Sequence, residues 1–260
     1  MDLVNATLKL YKEAVVASFG VIRRHPFKPL FGVLYLLAIG LIEGMVSQLQ
    51  GFAGGMVRGL VITALLANFL AFITLMADSK KFGWQELWGR TWVVFSPLIN
   101  SLFILFLAQF LLGPILSRPG SGFLGGAVNL ALLVLFNPMP EIVAVRGSGG
   151  LEAFKDSLEF MKENGPEWLL ALLLILLPLA FLLGPVVLLF ILASTDPLSG
   201  IFILFRWTLS AFFNFGGAYS RLLLMVVGLY YLFLIFQIRL YLFEKLSTST
   251  RRKRIYALRN

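Results

Sequence analysis

Long apolar runs separated by short polar stretches are the dominant pattern of the chain. Runs of 20 or more residues fall at about 28–48, 54–77, 92–116, 123–145, 167–193 and 217–243. A helix needs about 20 apolar residues to cross the roughly 30 Å hydrocarbon layer of a bilayer. The pattern therefore predicts an all-α polytopic transmembrane protein with six spans. Three shorter amphipathic segments precede the odd-numbered spans: LKLYKEAVVASF, WQELWGR and LEAFKDSLEFMKEN. In the last of these, Leu151, Phe154, Leu158 and Met161 share one helical face, with Glu152, Lys155, Asp156, Glu159 and Lys162 largely opposite. That face is a candidate partner-binding surface. Asn164-Gly165 is expected to end this helix, Pro166 to open the fifth span, and Trp168 to lie at headgroup level.

Segment 201–215 is too short to span comfortably. Asp196-Pro197 reads as its start, and Arg206, Ser210 and Asn214 form one polar stripe at i, i+4, i+8. It is expected to be interfacial or re-entrant.

Charge fixes the expected orientation. With both ends in the cytoplasm, eighteen of the 22 Lys and Arg residues fall on the inner side, leaving only Arg58, Arg118, Arg206 and Arg221 outside. This obeys the positive-inside rule. The net charge of +9 is thereby explained without nucleic acid, and the basic stretch 247–260, with RRKR, reads as a cytoplasmic contact for anionic lipids. The expected location is the inner cell membrane, with residues 1–246 as a single transmembrane domain.

The even-numbered spans open alike, as GGMVRGLVITALL, GGAVNLALLVLF and GGAYSRLLLMVVG. Three repeats of an amphipathic helix plus a hairpin, 1–77, 83–145 and 150–243, would account for this. Glycines that merely start helices would account for it too. If the three openings meet, Arg58, Asn129 and Arg221 share one depth. They then form either a headgroup- or anion-attracting vestibule, with Arg206 nearby, or three interface anchors.

The stretch from Pro140 to Trp168 carries a resemblance. Pro140, Glu141, Ile142, Val143, Gly149, Gly150, Glu152, Ala153, Phe154, Ser157, Leu158 and Trp168 follow the order found in a six-span membrane family. That family includes YciC-like proteins and the membrane domain of certain glycerophosphodiester phosphodiesterases. Arg23-Arg24-His25-Pro26 and Leu229-Tyr230-Tyr231 with Arg239 fit as well. The resemblance implies a polytopic membrane domain of mostly unassigned function, without the soluble phosphodiesterase domain.

Candidate chemistry is sparse. The chain has no cysteine and one histidine, His25, so no thiolate or multi-histidine metal site can form within it. No phosphate-binding, zinc-protease, nucleophile-elbow or dinucleotide motif occurs, and no cofactor is expected. Glu43 and Glu141 are the acids at membrane depth, which makes each a candidate functional group. Glu141 has Arg146 and Arg239 as possible partners, and Asn68, Asn100 and Ser101 are candidates to bridge helices. Three classes follow: a non-enzymatic scaffold or accessory subunit of a membrane complex, a transporter or lipid-handling protein using the outer arginines, and an intramembrane enzyme built on Glu43 or Glu141.

Overall fold

The computed structural model describes residues 2–32, 34, 35, 38, 41, 45, 51–78, 83–116, 122–183 and 218–249. These form six long helices: α1 (Asp2–Arg24), α2 (Gly51–Ala77), α3 (Trp84–Leu116), α4 (Gly122–Leu135), α5 (Leu151–Leu183) and α6 (Ala218–Thr248). A 3-10 turn covers Lys28–Phe31, and a broken segment, Met139–Glu141 followed by a π turn at Ile142–Arg146, links α4 to α5. Among the described residues, four stretches are long and apolar enough to cross a membrane: Gly54–Ala77, Trp84–Ala108, Gly125–Arg146 and Val226–Thr248. The segments 33–50 and 184–217, which hold most of the first expected span and all of 201–215, lie largely outside the described residues.

Local chemistry explains most boundaries. α1 stops at Arg24 because His25 precedes Pro26, which disfavours helical backbone at the residue before it, and Arg23 and Arg24 complement the helix dipole. α3 opens with Glu86 accepting the Gly83 backbone N–H at 3.3 Å, half of a capping box. It then runs unbroken from the WQELWGR stretch into its apolar length. α4 ends at Leu135 because Pro138 and Pro140 cannot donate to preceding carbonyls. The π turn closes on Gly147, whose φ of 72° is left-handed.

The expected break at Asn164-Gly165-Pro166 does not occur. α5 runs continuously from Leu151 to Leu183. A proline inside a helix costs about 3 kcal/mol. Here packing on both sides offsets that cost: Phe160 and Trp168 flank the proline and stack edge to face at 5.3 Å, and Phe160 also lies 5.0 Å from Phe243 on α6. Asn164 Nδ2 donates back to the Phe160 carbonyl at 3.4 Å. Tertiary burial overrides the local stop signal.

α2 and α3 pack as a hairpin, α1 lies along α6, and α6 also contacts α5. One core cluster joins Leu10 and Ala14 of α1 to Leu66 and Leu70 of α2, Leu98 of α3, Met139 and Ile142 of the broken segment, and Leu242 and Phe243 of α6. A second joins Phe69, Phe72 and Met76 to Leu229, Phe233 and Phe236. The broken segment is thus enclosed by several helices.

Candidate functional site: a buried ionic centre at the helix break

Each helix end left open by Pro138 and Pro140 must find partners elsewhere, since an unpaired buried backbone group is costly. Arg239, on α6, supplies them. Its Nη2 donates to the Asn137 carbonyl at 2.9 Å and its Nη1 to Asn137 Oδ1 at 2.8 Å. The same guanidinium grips Glu141 through two parallel bonds along one edge, Nε to Oε1 at 2.6 Å and Nη2 to Oε2 at 2.9 Å. Trp168 Nε1 donates to Asn137 Oδ1 at 2.9 Å, and the Trp168 ring lies 4.7 Å from the guanidinium carbon. Arg239, Asn137 and Trp168 are 0% exposed and Glu141 is 3% exposed.

Two donors converge on Asn137 Oδ1, which fixes the orientation of its amide and leaves the buried Nδ2 without a hydrogen-bond partner. Beside this centre, Tyr11 on α1 donates to the Glu167 carbonyl at 2.7 Å. Burial pushes the Tyr11 hydroxyl's pKa well above its ordinary value, outweighing the nearby charge of Arg239.

A ring of weaker contacts fastens the same end. Arg146 pairs with Asp156 at 3.7 Å, and Ser148 donates to that carboxylate at 2.8 Å. Arg90 Nη2 donates to the Ala144 carbonyl at 3.1 Å, the Gly150 N–H reaches Ser101 Oγ at 3.0 Å, and Ser157 donates to the Leu135 carbonyl at 2.8 Å. Chemically, the centre is a bidentate ion pair with both carboxylate oxygens and all three guanidinium nitrogens engaged. Such a pair fastens elements together. Among the described residues no group of three or more His, Asp or Glu is placed to hold a metal.

Of the two cations weighed for Glu141, Arg239 makes the contact and Arg146 pairs elsewhere. Asn68 bridges helices, accepting from Tyr35 at 2.5 Å and donating to Thr91 Oγ1 at 2.9 Å, whereas Asn100 is exposed. Trp168, expected at headgroup level, faces the interior of the bundle, where it meets Asn137 and Arg239. The apolar quartet of α5 is divided. Met161 is buried and Phe154 packs edge to face on Phe136 at 4.8 Å, while Leu151 and Leu158 are 73% and 45% exposed. The arc that faces the bundle carries Ala153, Ser157, Phe160 and Asn164, rotated from the most apolar arc of the helix. Arg58, Asn129 and Arg221 sit on α2, α4 and α6, but their side chains, like Glu43 and Arg206 altogether, lie outside the described residues.

Sequence reasoning passed over Asn137 and the inward role of Trp168. A signal existed: a Pro-x-Pro-Glu break in one apolar run and an arginine deep in another are two costs that cancel only together. No family model matches the chain, no curated protein matches it, and no solved structure matches it.

Proposed function

We propose that this chain is an integral membrane protein acting without catalysis, as a scaffold or accessory subunit of a membrane complex. In this reading it has six spans, with both ends in the cytoplasm, and its helical hairpins follow a three-fold repeat related to the YciC-like family. The first half of α5 then lies at the cytoplasmic face.

One observation carries the reading. The 151–163 helix is held rigidly to the bundle by Ser157, Phe160 and the Arg146–Asp156 pair, yet leaves Leu151 and Leu158 uncovered beside Lys155 and Lys162. A preorganised surface of this kind would bind a partner at a reduced ordering cost. The ion pair supports the same view, because Glu141 and Arg239 satisfy each other. Glu141 is thereby a fastening group.

The test is a photo-crosslinking amino acid at position 158, activated in native membranes. A discrete protein adduct, lost when the probe is moved to buried Ser157, is the expected result. Adducts with lipid alone would overturn the scaffold reading.

A further inference from the structure

A cleft of about 380 Å³ opens between the 3-10 turn, α2 and the start of α3. This is within the range of small-molecule sites, about 300–1,000 Å³. Its body is apolar and aromatic, formed by Phe31, Tyr35, Phe72, Trp84 and Leu87. The polar groups on its wall are already engaged: the Tyr35 hydroxyl bonds Asn68, Asn68 bonds Thr91, and Thr91 donates to the Leu87 carbonyl at 2.7 Å. Phe31 and Phe72 pack at 6.0 Å, so the aromatic wall is continuous.

Among the described residues, Lys28, half-buried, is the cation lining this cleft. Arg23 and Arg24 are exposed on the last turn of α1 just before it. The acids of the neighbouring helix ends are Glu86, which accepts the Gly83 N–H, and Asp78 at the end of α2. Burial, with the positive charges of Lys28 and Arg24, holds His25 below its usual pKa, so the imidazole stays neutral at pH 7. The cleft also sits where the apolar stretches stop: one ends at Ala77 and the next begins at Trp84. That is the level of lipid headgroups, and Trp84, 68% exposed, suits it.

We infer that this cleft is a binding site for an anionic membrane phospholipid, with an acyl chain against the Phe31–Tyr35–Phe72 wall and its phosphate at Lys28. An apolar body with a cation at its edge complements an amphiphile of that polarity. The inference rests on membrane embedding and is independent of any partner at Leu158.

The experiment uses the full chain carrying Trp88→Phe and Trp92→Phe, in phosphatidylcholine vesicles. Increasing fractions of dibrominated phosphatidylglycerol or dibrominated phosphatidylcholine are added, and a Trp84→Phe reference isolates the quenching of Trp84. The expected result is half-quenching by the anionic lipid at about fivefold lower mole fraction than by the zwitterionic one, the scale of one basic residue near an anionic surface. Lys28→Gln should abolish that preference, and Ala38→Phe, which fills the cleft, should reduce quenching by both lipids. Equal quenching by the two lipids, or a preference untouched by Lys28→Gln, would overturn the site. Quenching by neither would overturn membrane embedding itself.

Discussion

Arg239 and Glu141 lie 98 residues apart in the chain and meet in a two-pronged contact at 2.6 and 2.9 Å, with Arg239 fully buried. Neither group could stand alone there. A buried ion is costly to desolvate, and the pair is tolerable because Asn137 and Trp168 complete the guanidinium's surroundings.

Removing one member should therefore cost far more than removing both. Glu141→Gln or Arg239→Gln is expected to destabilise by about 3–5 kcal/mol, because each strands a buried partner. The double change Glu141→Leu/Arg239→Met should recover much of that loss. Arg239→Lys should not rescue, since an ammonium cannot match the bidentate geometry. Thermal denaturation in detergent, followed by loss of monodisperse protein, measures all four. Additive losses in the double variant would show that the two residues are not coupled.

Two glycines give a contrast in steric tolerance. A Cβ on Gly149 would lie 2.5 Å from the Pro97 Cα and 2.9 Å from its carbonyl oxygen, both backbone atoms that cannot yield. A Cβ on Gly32 would meet the Leu229 Cδ2 at 2.6 Å, the end of a side chain that can turn away. Gly149→Ala is expected to lower the melting midpoint by the equivalent of about 1–3 kcal/mol, the range for overpacking. Gly32→Ala should lower it by distinctly less. A reversed order in the same melting assay would contradict the close approach of the 147–150 turn to α3.

Tyr11 makes stability depend on alkaline pH. Its folded-state pKa is raised, chiefly by burial, so the folded protein favours the neutral phenol. The associated stability is fully present below the unfolded value near 10 and declines as pH rises above it. Tyr11→Phe should cost about 1 kcal/mol at pH 7 through the lost bond to the Glu167 carbonyl. It should also flatten the decline between pH 10 and 11. Melting midpoints across that range in both proteins decide the matter, and parallel curves would refute the assignment.

The absence of cysteine makes topology directly measurable. Ser247→Cys, near the end of α6, is expected to react with a membrane-impermeant maleimide only after the cells are opened. Labelling of intact cells would contradict the orientation proposed from the basic residues.

Run length and proline position, read along one dimension, were enough for much of this molecule. Apolar stretches long enough to cross a bilayer must become helices there, because only internal hydrogen bonding satisfies their backbone. The stretches at 54–77 and 217–243 overlap α2 and α6, and the end of α4 follows from Pro138 and Pro140. These outcomes depend on residues within a few positions of one another. The tertiary structure decided what depends on residues far apart. It carried α5 through Pro166, because Phe160 and Trp168 gained partners from α6. It turned the Ala153–Ser157 arc of α5 inward instead of the most apolar one, because Ser157 could cap the open Leu135 carbonyl at the end of α4. It also chose Arg239 over Arg146 for Glu141. The physical reason is the same in each case: local rules charge the full cost of a buried proline, polar group or ion, and only distant partners brought together by packing can cancel it.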